Sequence, residues 1–263
     1  MDFKQPIGIF DSGIGGLSIW KEIVTLLPDE DTLYLADSKN APYGQKSKER
    51  IIELSIKNTE LLLEKKCKLI VVACNTATTN AINYLREKYK VPFIGIEPAI
   101  KPAALQTKTN NVGILATKGT LSSELFNSTS QKFSNGINII EKIGEGLVPL
   151  IESGKIDSVE MNKLLHKYLQ PMLDKNIDYL VLGCSHYPFL IPQIKKFVGD
   201  KVIIIDSGEA VAKQTKAILE QYNLLNFANI KPQHHLFNNA DLNAMKDIVK
   251  DFQKNYTINY LDF

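Results

Sequence analysis

Leu69-Ile-Val-Val-Ala-Cys74-Asn-Thr76 is the stretch that decides the fold of this chain, and Tyr179-Leu-Val-Leu-Gly-Cys184-Ser-His186 repeats its pattern. Each has a short apolar run, then a cysteine and two polar residues. Apolar runs without alternating polar residues are typical of strands buried on both faces of a parallel sheet. We therefore predict that Cys74 and Cys184, which stand 110 residues apart, each follow the carboxyl end of a buried strand.

Other apolar runs repeat at a similar spacing. The strands after the two cysteine strands are predicted at 93–96 and 202–205, and the first strands of the two sets at 7–10 and 112–115. Further strands are predicted at 32–36, 137–140 and 257–261, with amphipathic helical stretches such as 47–66 between strands. This alternation predicts an α/β fold of two similar doubly wound domains in a pseudo-symmetric arrangement, with mostly parallel sheets and the active site between the domains.

The domain boundaries are predicted where the chain passes from one set of strands to the other. Glu97-Pro98-Ala99 follows the fourth strand and Asp206-Ser207-Gly208 follows its counterpart in the second set. We expect residues 1–97 with 209–263 to form the first domain, and residues 98–208 to form the second.

The composition excludes several classes of protein. A net charge of +2 over 263 residues gives no strong field for nucleic acid or an anionic membrane. No apolar run approaches the roughly 18 residues of a membrane span, and the N-terminus has no signal-peptide pattern. The sequence therefore predicts a cytoplasmic protein, in which the three cysteines are free thiols.

Four polar clusters lie at predicted strand ends, where ligands bind in open α/β sheets. They are Asp11-Ser12-Gly13, Pro42-Tyr43-Gly44, Cys74-Asn75-Thr76 and Cys184-Ser185-His186. Inverting a stereocentre requires a base on one face of a carbon and an acid on the other, and two thiols from two similar domains can supply both. A helix start beside each cysteine favours the thiolate and lowers the pKa of a thiol.

The other cysteine and histidines have structural interpretations. Cys67, in a basic turn, is predicted to be structural. His186 can orient the Cys184 thiol or move its proton, or can merely satisfy local backbone groups. His166 is predicted in a polar helix and His234-His235 in a loop after Pro232, all at the surface.

Three alternatives stay open at this point. Gly13 and Gly15, with Asp37 after the second strand, partly match a dinucleotide-binding turn, but Ser18 occupies the third glycine position. Cys74, Cys184, His186 and Asp11 could hold zinc, although no close-spaced ligand pair is present. The chain could also be a small-ligand-binding module with structural cysteines.

The four clusters, with Leu147-Val-Pro-Leu-Ile-Glu-Ser-Gly154, resemble the glutamate racemase family over essentially the whole chain. The resemblance implies that Cys74 takes the α-proton of D-glutamate and Cys184 that of L-glutamate, with Asp11 assisting the first thiol and Glu152 and His186 the second. It implies the following substrate-binding residues: Asp11, Ser12, Tyr43, Gly44, Asn75, Thr76, Ser185 and His186.

The same resemblance implies that the protein needs no cofactor and no metal, forms a homodimer, and supplies D-glutamate for peptidoglycan. Ser185 departs from the family, which usually has threonine there; the hydroxyl is kept and the methyl is lost. A racemase of aspartate or another amino acid of the same superfamily is the nearest rival.

Overall fold

The computed structural model describes residues 2–133, 135–227 and 231–263, and these form ten strands and eleven α-helices. The strands are β1 (Ile7–Asp11), β2 (Thr32–Ala36), β3 (Leu69–Val72), β4 (Phe93–Gly95), β5 (Asn111–Ala116), β6 (Asn138–Ile143), β7 (Tyr179–Gly183), β8 (Ile203–Ile205), β9 (His234–Asn238) and β10 (Tyr256–Tyr260). The helices are α1 (Leu17–Leu26), α2 (Lys48–Glu64), α3 (Asn75–Lys88), α4 (Ile100–Gln106), α5 (Lys118–Leu121), α6 (Glu124–Phe133), α7 (Leu147–Glu152), α8 (Val159–Leu173), α9 (Ile191–Val198), α10 (Gly208–Gln221) and α11 (Asn243–Val249).

The strands form two sheets, and every strand pair in them is parallel. The first sheet has the order β10-β9-β2-β1-β3-β4, and the second has the order β6-β5-β7-β8. The run β2-β1-β3-β4 of the first sheet thus has the same order as the whole second sheet, as the predicted duplication requires. We call the first sheet with its helices the first half of the molecule, and the second sheet with its helices the second half.

The central strands of each sheet are buried on both faces, which explains the uninterrupted apolar runs. In β1, Ile7 and Ile9 face one hydrophobic cluster with α1 and α10, whereas Phe10 faces a second cluster with α2 and α3. In the second half, Leu180 and Leu182 of β7 belong to the first of these clusters, with α8 and α9. Their neighbours Tyr179 and Val181 face a third cluster with α4 and α6. Helices therefore cover both faces of both sheets.

The predicted fold is confirmed, and the predicted strands lie within three residues of the observed ends. One strand was missed. His234 and His235 both belong to β9, between β2 and β10, so the prediction of a loop is wrong for both. The prediction of a surface position is also wrong for His234, which is 1% exposed. Burial lowers the pKa of His234 to about 4. His166, on α8, is exposed as predicted.

Within the described ranges, every helix is too short or too polar to cross a lipid bilayer. The three cysteines are free thiols, as predicted. Cys67 lies between α2 and β3, where its sulfur packs against Gly8, and burial raises the pKa of its thiol to about 12. Among the described residues, burial is the cause of this shift, in accord with a structural role.

Candidate active site

The four polar clusters meet at one small cavity between the halves. The cavity has a volume of about 10 Å³, which leaves room for roughly one water molecule. Nine predicted site residues line it: Ser12, Tyr43, Gly44, Cys74, Asn75, Thr76, Cys184, Ser185 and His186. Asp11 and Glu152 do not line the cavity but lie behind its wall. Asp11 is hydrogen-bonded to Ser185, and Glu152 is hydrogen-bonded to His186.

Cys74 joins β3 to α3 and serves as the N-cap of that helix. Its sulfur accepts a hydrogen bond from the Ala77 N–H at 3.4 Å and lies 3.6 Å from the Ser12 hydroxyl. Burial, and next the Asp11 carboxylate, raise the pKa of the Cys74 thiol, while the Ala77 N–H and the Ser12 hydroxyl oppose the shift. The expected lowering of this pKa by the helix start is therefore wrong, because burial outweighs one weak N–H contact.

Cys184 follows β7 directly, from the opposite half of the molecule. His186 Nδ1 lies 3.8 Å from its sulfur, and His186 Nε2 lies 2.5 Å from Glu152 Oε1. Burial lowers the pKa of His186, but the hydrogen bonds and electrostatic interactions with Cys184 and Glu152 outweigh it, so that the pKa is raised well above 6.5. The imidazole is thus held in a chain that runs from a carboxylate to a thiol.

Asp11 is the last residue of β1 and is fully buried. Its carboxylate accepts hydrogen bonds from the Gly16 N–H at 2.8 Å and from the Ser185 hydroxyl at 3.2 Å. Burial raises the pKa of Asp11, against the lowering effects of His186 and the Gly16 N–H. A carboxyl group of this kind takes up a proton more readily than a surface aspartate, and its charge acts on Cys74.

Glu152 ends α7 and joins the two halves. Besides His186, its carboxylate accepts hydrogen bonds from the Ile14 N–H and the Ser38 hydroxyl, each at 2.7 Å, and both donors belong to the first half. A Cβ on Gly13 would lie 2.0 Å from Glu152 Oε1, and one on Gly15 would lie 2.2 Å from His186 Nδ1. The glycine-rich turn therefore admits these two side chains, which occupy the space that a dinucleotide pyrophosphate would need.

The cavity also offers unused hydrogen-bonding groups. Both polar atoms of the Asn75 amide are buried and have no partner among the described residues. Asn75 and Thr76 begin α3, and the first N–H groups of a helix have no partner within it. The arrangement suits a small ligand with carboxylate and ammonium groups, because the N–H groups and the amide supply both donors and an acceptor.

Sequence reasoning missed Thr117 and gave no site role to Pro42 or Val148, although all three line the cavity. The Thr117 hydroxyl lies 2.8 Å from that of Thr76 and 3.0 Å from that of Thr120, and thus joins the two halves. A signal was present. Thr117 follows β5 as Ser12 follows β1, at the same offset of 105 residues that separates 7 from 112.

No three histidine, cysteine, aspartate or glutamate side chains among the described residues converge on a point where they could hold a metal ion. The residues named for a zinc site are instead bonded to one another or to backbone groups. Cys184 contacts His186, and Asp11 accepts from Gly16.

Two α/β halves each place a thiol in one cavity, which is the arrangement that a racemase needs to supply an acid/base group on each face of one carbon. The chain belongs to the Asp/Glu/Hydantoin racemase family, whose sequence model matches residues 7–215.

Relatives and solved structures agree with this assignment. The glutamate racemase of Herpetosiphon aurantiacus is 46% identical over 222 residues, which are 84% of this chain and 87% of that relative. The crystal structure of glutamate racemase from Francisella tularensis in complex with D-glutamate has a TM-score of 0.84 and 29% identity, and covers 98% of both chains. That of the Escherichia coli enzyme with L-glutamate and an activator, UDP-MurNAc-ala, has a TM-score of 0.84 and 32% identity, also over 98% of both chains.

Proposed function

We propose that this protein interconverts L-glutamate and D-glutamate by moving the α-proton between substrate and two thiols, Cys74 and Cys184. The observation that carries the proposal is the placement of these thiols, which come from different halves and line the same small cavity. The substrate is taken from the relatives, which are glutamate racemases, two of them crystallised with D- and L-glutamate.

Each thiol has the neighbours that proton transfer requires. In the direction from D-glutamate, the Cys74 thiolate takes the α-proton, the C–H electron pair stays on the carbon, and the Cys184 thiol delivers its proton to the other face. The reverse direction exchanges the two roles. Asp11 assists Cys74 and His186 assists Cys184, while Glu152 acts through His186 as a positioning residue.

Burial makes the neutral thiol the resting form of Cys74, since its pKa is raised. The ammonium group of a bound amino acid places a positive charge in the cavity, which favours the thiolate at the moment when it is needed. The free N–H groups and hydroxyls around Asn75 and Ser12 would stabilise the developing carbanion by preorganisation. This chemistry uses no group beyond the side chains and main chain described.

Glutamate is much larger than a cavity with room for roughly one water molecule, so the halves must separate for the substrate to enter. The contacts that would part include the hydrogen bonds of Thr76 with Thr117 and of Glu152 with Ser38. Closure after binding would exclude water from the carbanion.

The remaining predictions are retained as proposals. The two domains comprise residues 1–97 with 209–263, and residues 98–208; in support, the Ser207 hydroxyl donates to the Glu97 carbonyl at 2.5 Å, so that the two crossing points touch. We also propose a cytoplasmic homodimer that needs no cofactor and supplies D-glutamate for peptidoglycan, as the family resemblance implies.

The test is to incubate the purified, dialysed protein with L- or D-glutamate and to follow the enantiomers by chiral chromatography. Racemisation of glutamate but not of aspartate supports the proposal, and Cys74→Ser and Cys184→Ser should each abolish it in both directions. Cys67→Ser is the matched control, since Cys67 is not among the residues that line the cavity, and should remain active. Near-normal racemisation by either cavity variant contradicts the two-thiol mechanism.

A further inference from the structure

Asp37 follows β2 and is completely buried, yet the proposed reaction gives it no role. Its Oδ1 accepts hydrogen bonds from Asn40 at 2.8 Å, from Lys57 at 3.2 Å and from Asn239 at 2.6 Å. Its Oδ2 accepts one from the Tyr43 hydroxyl at 2.6 Å. Four donors thus contact the buried carboxylate, which is committed to holding its neighbours rather than a ribose hydroxyl, the ligand that a dinucleotide-binding acid would take.

Tyr43 connects Asp37 to the cavity. Its hydroxyl donates to Asp37 and accepts from Asn58 at 3.1 Å. Burial, and next the charge of Asp37, raise the pKa of Tyr43 well above 10, so the hydroxyl keeps its proton. Because this single proton is donated to Asp37, the phenol has none to give to a substrate.

The turn after Tyr43 therefore acts through its main chain. Residues Tyr43–Gln45 form a short 3-10 helix, and the first N–H groups of such a helix, those of Tyr43 and Gly44, have no partner within it. Gly44 and Tyr43 both line the cavity, which places these donors where a carboxylate can reach them.

We propose that Asp37 is a positioning residue for the carboxylate-binding turn at Tyr43 and Gly44, and that Lys57 and Asn239 hold Asp37 in place. The proposal rests on the proposed function and on the substrate-binding role that the family resemblance implies for Tyr43 and Gly44. In this proposal the Tyr43 side chain acts on the substrate only through Asp37, whereas the Tyr43 main-chain N–H binds the substrate carboxylate.

The same two donors tie a distant segment to the site. Lys57 Nζ and Asn239 Nδ2 each lie 3.2 Å from the main-chain oxygen of Phe263, beyond the edge strand β10. Lys57 Nζ also lies 5.1 Å from the centre of the Phe263 ring. The Phe263 main chain and ring thus contact the same two donors that hold Asp37.

The experiment compares Tyr43→Phe, Asp37→Asn and the double variant, with KM and kcat measured for both enantiomers. Positioned donors bind ground state and transition state alike, so each single variant should raise KM about tenfold and change kcat by less than about threefold. Because both act through one hydrogen bond, Tyr43→Phe should add less than about twofold in the Asp37→Asn background. Lys57→Met should raise KM in the parent but leave it unchanged beside Asp37→Asn.

Asp262→Asn is the control, since it removes an exposed carboxylate of the same terminal segment, paired with Lys39 at 3.2 Å. It should leave both constants unchanged. If Asp37→Asn does not fold, Tyr43→Phe and Lys57→Met decide the question, because they keep the carboxylate. The proposal would be overturned if the increase in KM of the double variant equalled the product of the increases in the two single variants. A KM for Tyr43→Phe within twofold of the parent would also overturn it. An inactive parent protein would instead refute the proposed function.

Discussion

Glu152→Gln should weaken catalysis through His186 without changing the shape of the site. The carboxylate accepts from His186 Nε2 at 2.5 Å, and glutamine keeps an oxygen there but loses the charge. A hydrogen bond to a charged group contributes about 1.5–3 kcal/mol and a neutral one about 0.5–1.5 kcal/mol. The difference of about 1–1.5 kcal/mol corresponds to roughly a five- to tenfold fall in kcat/KM.

The fall must be equal for both enantiomers, because L- and D-glutamate have the same free energy and the equilibrium constant is one. The substitution should also lower the pKa of His186, since Glu152 is one of the groups that raise it. Chiral chromatography measures the rates, and NMR titration of the histidine rings measures the pKa. Glu160→Gln, at an exposed position on α8, is the control and should change neither.

The pKa of His186 also predicts how stability depends on pH. A histidine whose pKa is higher in the folded state contributes stability that is complete below its ordinary pKa of 6.5 and is lost as the pH rises through the folded value. The unfolding free energy of the parent should therefore decrease above pH 6.5, and less steeply in Glu152→Gln. An unchanged pKa of His186 in Glu152→Gln, or an unchanged rate, would refute the reasoning.

Three further predictions concern other parts of the molecule. Gly13→Ala places a Cβ 2.0 Å from Glu152 Oε1 and should lower kcat/KM, measured by chiral chromatography, by at least about tenfold. A variant as active as the parent would show that Glu152 can move away from the added methyl group. Thr117→Val should raise KM for glutamate by about tenfold, whereas Thr117→Ser should keep the KM of the parent. An unchanged KM in Thr117→Val would show that the hydroxyl makes no contact with the substrate. The pKa of His234 falls from an ordinary 6.5 to about 4 in the folded protein, so its contribution to stability is complete above pH 6.5 and is lost as the pH falls towards 4. The urea concentration at half-unfolding should therefore decrease between pH 6.5 and 4, and decrease less in His234→Asn. An equal decrease in the two proteins would contradict this.

The sequence predicts those features that follow from local pattern. The strands at 69–73 and 179–183 were found because burial on both faces requires continuous apolar residues. β9 was missed because its residues His234–Asn238 include two histidines and an asparagine, and its place in the sheet depends on pairing with β2 and β10, which are distant in sequence. Long-range pairing of this kind leaves little trace in a local window.

The site was predictable to the extent that it repeats within the chain. Ser12, Cys74 and Cys184 were identified from motifs at strand ends, and Thr117 could have been found from its offset to Ser12. The surroundings of each group were not predictable. The raised pKa of Cys74 depends on burial and on Asp11, which only the folded structure brings together.

The central claim is that two different groups serve the two faces of the α-carbon, and racemisation in D₂O tests it most directly. At early conversion, product formed by two thiols should carry deuterium at the α-carbon, because the delivering thiol has exchanged with solvent, while the remaining substrate keeps its protium. Mass spectrometry of the separated enantiomers measures both. Product that retains the protium of the substrate would mean that one group carries the same proton across the carbon, and would contradict the account.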